Sequence, residues 1–186
     1  AARKPRTTAL PMLVAALAGF ASLFSFQPFA WWPIQVVALA WLFYQVGMDT
    51  SVKRSTLVGW GFGFGWSVAG MHWLYIAVTR FGGLPAILGA ISIALLGLYM
   101  GLFGAFAGGA ASWLRRKCSL PVTAFVLLAL PVTWGLSEWL RGWVFTGYAW
   151  DPFGVVLLGG YGQPGLALVA PWIGTYALSG LAVLLA

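Results

Sequence analysis

Charged residues are scarce in this chain of 186 residues, of which 7% are charged and 61% are hydrophobic. A soluble domain usually carries about a quarter of its residues as charged ones. The mean hydropathy of +0.91 points the same way. This shortage of charge excludes an ordinary soluble domain and is typical of an integral membrane protein.

Cysteine and histidine are almost absent as well. The chain has one cysteine, Cys118, one histidine, His72, and three acidic residues. A single cysteine excludes an internal disulfide and a cysteine-rich metal motif, and so few ligands leave no convincing metal site. We therefore expect neither a metal nor another cofactor.

Cys118 is not expected to act as a nucleophile either. Glu138 follows it on the same predicted helix at a distance of about 30 Å, given a rise of about 1.5 Å per residue. His72 also lies far from Cys118 along the membrane normal. Because no base can reach the thiol, we expect no catalytic residue in this chain.

Long apolar runs are what the chain does contain, and they predict six membrane spans. Roughly 20 apolar residues in a helix cross a hydrocarbon layer of about 30 Å. The predicted spans are residues 8–26, 31–48, 55–79, 84–113, 119–141 and 166–186. We therefore predict an all-α membrane protein, in which one domain over residues 1–186 forms a polytopic bundle of about six transmembrane helices. Pro131 predicts a kink in the fifth span.

The segment between the fifth and sixth spans, residues 142–165, reads GWVFTGYAWDPFGVVLLGGYGQPG. Its glycine and aromatic content predicts an outward segment that dips into the outer leaflet, as a helix, a loop or a re-entrant hairpin. Backbone of that kind has to be covered by protein or to line a cavity.

Lysine and arginine are distributed unequally between the two sides of the predicted bundle. Two cations, Arg80 and Arg141, fall on one side, and eight fall on the other: Arg3, Lys4, Arg6, Lys53, Arg54, Arg115, Arg116 and Lys117. The positive-inside rule therefore places the N-terminus in the cytoplasm. Because these clusters separate apolar runs, we interpret them as orientation signals and expect no nucleic-acid partner. No small-residue cleavage site follows the first run, so we expect an uncleaved helix rather than a signal peptide.

The stretch SEWLRGWVFTGYAWDPFG (137–154) concentrates charge and tryptophan in a chain that otherwise avoids charge. Glu138 and Arg141 are three residues apart, and Trp134 lies on the same helical face. One interpretation is an interfacial anchor, in which an ion pair and an aromatic belt end a helix. The other is a lipid headgroup site, since arginine binds phosphate through two nitrogens.

The stretch GWGFGFGWSVAGMHWLYIAVTRFGGLP (59–85) contains two further candidates. His72 is an ionisable residue inside a predicted span, which indicates either function or a neutral histidine bonded to a neighbouring helix. Arg80 precedes a turn whose backbone amides and cation suit a phosphate, although it also suits an ordinary loop with a snorkelling side chain. Alternating glycines at 59, 61, 63 and 65 form two small-xxx-small pairs, which predict close helix packing.

Together with FSFQPFAWWP (24–33) and LALVAPWIGTYALSGLAVLLA (166–186), these segments resemble, in the same order, the membrane part of bacterial apolipoprotein N-acyltransferases. The strongest similarity is SEWLRGWVFTGYAW, in which Ala149 stands where the family usually has proline. The resemblance implies an inner-membrane enzyme that moves an acyl chain from a membrane phospholipid to the N-terminal diacylglyceryl-cysteine of a lipoprotein.

The family's chemistry runs through a cysteine thioester and a Glu–Lys–Cys triad in a nitrilase-like periplasmic domain. That domain is expected to be absent from these 186 residues, so the resemblance assigns no catalytic residue here. The chain is then a fragment of the enzyme or a stand-alone lipid-binding scaffold. A small transporter is disfavoured, because the ionisable groups lie near one face. The predicted substrate-binding residues are Arg80, Trp134, Glu138, Arg141 and His72.

Overall fold

Helices make up all the regular structure in residues 7–48, 51–159 and 165–186, which are the residues that the computed structural model describes. This part of the chain confirms the all-α prediction. The α-helices are α1 (Ala9–Ala21), α2 (Trp32–Met48), α3 (Val52–Gly70), α4 (His72–Ile76), α5 (Ala86–Lys117), α6 (Val122–Ala124), α7 (Leu130–Arg141) and α8 (Ala170–Leu184).

Two helices in the described part of the chain are long and apolar enough to cross a membrane. One is α5, and the other is the continuous helix Val122–Arg141, which joins α6 to α7. Ala9–Ser25 and α8 are also apolar but shorter. The arrangement of six spans remains a prediction.

Several helices are interrupted by a residue or a turn that departs from α-helical geometry. The stretch predicted as one span over residues 55–79 is divided at Met71, which separates α3 from α4. A π-helical turn, Phe125–Ala129, lies directly before Pro131. Proline has no N–H to donate to the preceding turn, and a widened turn accommodates that loss. Helix α8 is kinked at Gly174, whose φ of 75° suits glycine.

Helix α3 lies between α1 and α5, and glycines on its two sides make both contacts close. A Cβ atom on Gly65 would fall on the carbonyl oxygen of Ala16 in α1. On the opposite side, a Cβ atom on Gly59 would fall on the carbonyl oxygen of Gly104 in α5. The two glycine pairs predicted from the sequence therefore serve two different neighbours, which places α3 at the centre of the bundle.

The core contains a group of stacked aromatic rings at one end of α3. Trp134 of α7 and Phe153 lie almost parallel, with ring centroids 5.0 Å apart and an interplanar angle of 8°. Phe62 and Trp66 of α3 pack against Phe153 at 6.0 and 4.5 Å. Phe153 belongs to a short 3₁₀ helix, Phe153–Leu158. The segment between α7 and α8 is therefore anchored in the core through this ring.

The close approach of α1 to α3 can be tested with Gly65→Val. The added side chain would separate the two helices, and overpacking of this kind costs about 1–3 kcal/mol. We expect a lower midpoint for thermal unfolding in detergent. Gly180→Ala in α8 is the matched control, because a Cβ atom there meets nothing within 4 Å. Equal midpoints for the two variants would contradict the packing described for α3.

Candidate functional site

The last two turns of α7 present Trp134, Glu138 and Arg141 to the interior of the bundle, as their shared helical face predicts. Their side chains are only 2–3% exposed. Trp139 and Trp143, which the sequence places on other faces, are 46% and 69% exposed. We call these three buried residues, with Trp66 and Phe153, the Glu138–Arg141 cluster.

Glu138 accepts two hydrogen bonds through one carboxylate oxygen. The indole N–H of Trp134 donates to Oε1 over 3.2 Å, and the backbone N–H of Phe153 donates to the same oxygen over 3.0 Å. Trp134 is one turn away on the same helix, whereas Phe153 lies beyond the end of α7. Glu138 therefore holds the segment between α7 and α8 against the helix that precedes it.

Two more side chains complete the hydrogen bonding of this backbone. Gln35 of α2 donates its side-chain N–H to the carbonyl oxygen of Phe153 over 3.2 Å. Ser179 of α8 accepts a hydrogen bond from the backbone N–H of Gly154 over 2.8 Å. Polar backbone inside a membrane protein has to find partners within the protein. Here three separate helices supply those partners to two consecutive residues.

Arg141 lies between aromatic rings rather than in solvent. Its guanidinium carbon is 4.5 Å from the ring centroid of Trp66 and 5.8 Å from that of Tyr148. Its backbone carbonyl accepts the N–H of Tyr148 over 2.7 Å. Cation–π contacts stabilise a desolvated guanidinium, so Arg141 holds the start of the outward segment against α3.

Several polar atoms of the cluster have no hydrogen-bond partner within the part of the chain that the structure describes. They are Oε2 of Glu138 and the Nε and Nη2 atoms of Arg141. A cavity of about 10 Å³ lies beside these side chains and is also lined by Gly63, Met100 and Ser137. This volume suits about one water molecule. A phospholipid headgroup could reach Glu138 or Arg141 only if the segment between α7 and α8 moved, because both side chains are buried.

Tyr148 and Asp151 stand at the outer edge of the cluster and were not among the predicted site residues. Burial, together with the nearby Asp151, raises the pKa of Tyr148 to about 12, whereas Arg141 opposes the shift. Burial also raises the pKa of Asp151 above its ordinary value, against the effect of Arg141. Both shifts indicate that this edge of the cluster is shielded from solvent.

His72 lies beside the outward segment but outside the cluster. It is exposed, and its Nδ1 atom lies 2.6 Å from the carbonyl oxygen of Ala69 on the preceding turn. The next residue, Trp73, packs against Trp150 with ring centroids 5.5 Å apart. The histidine bond is therefore to its own chain segment, in contrast to the neighbouring-helix bond that the sequence suggested as an alternative.

Arg80 is exposed and lies away from the cluster, beside the first turns of α5. The π-helical turn Ala77–Phe81, which contains Arg80, lies near the start of α5, because Thr79 packs beside Gly89. Tyr99 of α5 instead contacts Phe145 of the outward segment. Gly89 and Tyr99 are separated by about 15 Å of helix. The structure thus groups three of the five predicted residues and leaves Arg80 apart.

The prediction missed the residues that hold the segment from other helices, namely Gln35, Trp66, Phe153 and Ser179. Each is an ordinary polar or aromatic residue within an apolar run. A buried glutamine in α2 was a usable signal, because a polar side chain in a span needs a partner. Nothing in the sequence shows which residues of other elements they contact; Gln35, for example, bonds to Phe153, which is 118 positions away.

Ser179→Ala tests whether the bond to Gly154 holds the outward segment. Leaving a buried N–H unpaired costs about 1–3 kcal/mol, so we expect faster hydrogen–deuterium exchange at the amides of residues 153–155. Ser92→Ala is the matched control, because Ser92 bonds only to Leu88 within its own helix. Unchanged exchange in Ser179→Ala would contradict the role given to this hydroxyl.

Glu138→Ala removes both hydrogen bonds and leaves Arg141 as a buried charge without its acidic neighbour. Leaving a buried N–H unpaired costs about 1–3 kcal/mol, and this variant leaves the N–H groups of Trp134 and Phe153 unpaired. We therefore expect a loss of at least that size in unfolding measured in detergent. Glu138→Gln keeps an acceptor for Phe153 and should lose less. Leu136→Ala, on the exposed face of α7, should have a small effect, and a loss equal to that of Glu138→Ala would refute the assignment.

Comparison with known proteins gives the family of the chain. The family model described as "Apolipoprotein N-acyltransferase N-terminal domain" matches residues 18–186. Similar proteins named apolipoprotein N-acyltransferase come from Shewanella oneidensis, Ralstonia nicotianae and Nitrosomonas europaea, with 32%, 35% and 36% identity over 100%, 93% and 92% of this chain. The chain covers 35%, 32% and 33% of those proteins, or about a third of their length. It therefore belongs to the apolipoprotein N-acyltransferase N-terminal domain family.

Proposed function

We propose that this chain is the membrane part of an enzyme that transfers an acyl chain from a phospholipid to the N-terminal diacylglyceryl-cysteine of a bacterial lipoprotein. Membership of the family supports the reaction class, and the two membrane-length helices support the membrane location. The proposed setting is the inner membrane, with the N-terminus in the cytoplasm and several spans. The reacting groups belong to the remainder of such an enzyme.

The proposed task of this part is to admit lipid substrates and to anchor the catalytic domain above the bilayer. The observation that carries the proposal is the fixed geometry of the segment after α7. Its backbone at Phe153 and Gly154 is bonded to side chains of three helices. A segment held in this way at the start of its 3₁₀ helix offers a stable surface at one end of the bundle, next to the membrane interface.

Lipid contact is proposed for the exposed side chains of this segment, with the Glu138–Arg141 cluster as its support. Trp143 and Phe145 are 69% and 87% exposed. Exposed aromatic rings suit the interface between headgroups and acyl chains. Arg80 and His72 supply exposed polar groups on the neighbouring α4 region, where a phosphate can be approached without displacing the segment.

The proposal is tested in the complete enzyme with the double variant Trp143→Ala and Phe145→Ala. Burying one aromatic side chain contributes about 1.5–3 kcal/mol, so losing the lipid contact of either ring should lower kcat/KM by about tenfold or more. The assay is acyl transfer to a diacylated lipopeptide, with the phospholipid concentration varied. We expect the change to fall mainly on the KM for phospholipid.

The control for this experiment is Leu128→Ala, which removes an exposed apolar side chain far from the segment, near the start of the α6–α7 helix. Its kinetics should match those of the unmodified enzyme. If the double variant kept a normal KM for phospholipid, the segment would not be part of the lipid path. An equal rise in KM in the control would point to general damage to the bundle.

A further inference from the structure

A second surface of the molecule lies at the opposite end of α7 from the Glu138–Arg141 cluster. A groove of about 320 Å³ opens between α2, the α6–α7 helix and the end of α8. Its volume is at the lower end of the range of small-molecule sites, which is about 300–1,000 Å³. The residues that line it are almost all apolar: Ala40, Phe43, Tyr44, Gly47, Arg115, Val122, Phe125, Val126, Leu130, Val183 and Ala186.

The mouth of this groove lies where two membrane-length helices reverse direction. Helix α5 ends at Lys117, and the helix Val122–Arg141 begins five residues later, after Pro121. A reversal between two spans belongs at a membrane surface, since the intervening backbone cannot remain in hydrocarbon. The apolar walls of the groove therefore start at the headgroup level and run towards the bilayer interior.

One cationic side chain, Arg115, lines the groove at this mouth. Arg116 and Lys117 follow it at the end of α5 and are exposed, and the ammonium of Lys117 lies 4.7 Å from the ring centroid of Trp113. No acidic side chain lines the groove among the described residues. The apolar groove suits an acyl chain, and the cations at the end of α5 suit a headgroup with net negative charge.

Arg115 is held in place by two contacts at the rim. One Nη atom donates to the carbonyl oxygen of Gly47 at the end of α2, and the guanidinium lies 4.8 Å from the ring centroid of Phe125. A guanidinium has five N–H donors, and this hydrogen bond uses one. The remaining donors suit the two oxygens of a phosphate. The hydrogen bond to α2 thus fixes the guanidinium at the rim of the groove and leaves other N–H donors for a ligand.

We propose that this groove binds an anionic phospholipid, with an acyl chain between Phe43, Val126 and Leu130 and the phosphate at Arg115. The exposed Arg116 and Lys117 add positive charge at the same end of α5, which attracts an anionic headgroup without direct contact. The proposal does not depend on the acyl-transfer function, since it concerns the other end of the bundle. The bound lipid would be structural or regulatory, because about 28 Å of helix separates Val122 from Arg141. No step of the acyl transfer takes place at this groove.

Native mass spectrometry of the complete protein tests the proposal. The protein is incubated in mild detergent with phosphatidylglycerol or phosphatidylethanolamine of identical acyl chains. We expect preferential retention of phosphatidylglycerol. Each basic residue near an anionic lipid surface contributes about a fivefold change in affinity, so Arg116→Gln with Lys117→Gln should lower the preference by well over tenfold. Neither exposed side chain bonds to the bundle backbone, so folding should survive.

Two further variants separate the groove from general surface charge. Lys53→Gln removes an exposed cation at the start of α3, away from the groove, and should leave the preference unchanged. Val126→Trp fills the groove at a position that is already 39% exposed and should reduce retention of phosphatidylglycerol while the cations remain. Equal loss in Lys53→Gln and in the double variant would overturn the proposal.

A photoreactive benzophenone amino acid in place of Val126 identifies the occupant directly. We expect cross-links to phospholipid in membranes that contain phosphatidylglycerol. Cross-links to a polypeptide segment alone would overturn the proposal, because they would mean that another part of the protein covers the groove. Equal retention of the two lipids by the unmodified protein would overturn it as well.

Discussion

The hydrogen bond from the backbone of Phe153 to Glu138 is the interaction on which the position of the segment between α7 and α8 depends. The first N–H groups of the 3₁₀ helix Phe153–Leu158 have no partner within that helix, and lipid cannot satisfy them, at a cost of several kcal/mol each. Glu138 accepts the N–H of Phe153, Ser179 accepts that of Gly154, and Gln35 donates to the carbonyl oxygen of Phe153. The segment is therefore held against the core by side chains of three other helices.

The same bond explains why a carboxylate and an arginine are buried together in so apolar a chain. Glu138 is held by Trp134 and Phe153, and Arg141 lies on Trp66 and within reach of Tyr148. Each charge is enclosed by aromatic rings from more than one element, so neither is left in hydrocarbon alone. The sequence left two interpretations of these residues open, an interfacial anchor and a lipid headgroup site, and both stay predictions. Lipid contact is proposed for the exposed side chains next to them.

Close helix packing makes this arrangement possible. Glycines let α3 approach α1 and α5 until backbones touch, which brings Trp66 of α3 under the end of α7. The aromatic stack of Phe62, Trp66, Trp134 and Phe153 then fills the space that the approach leaves. The backbone contacts thus set where the rings lie, and the rings set where the segment after α7 is fixed.

The sequence by itself determined the helical class, the family resemblance, the two glycine faces of α3 and the inward face shared by Trp134, Glu138 and Arg141, because these follow from composition and from spacing along one helix. It did not determine the break at Met71, the separation of Arg80 from the cluster, or the partners Gln35, Trp66 and Ser179. Those depend on which helices become neighbours. Only the tertiary structure decides that, since a side chain's spacing along its own helix carries no information about which residues of other helices it will contact.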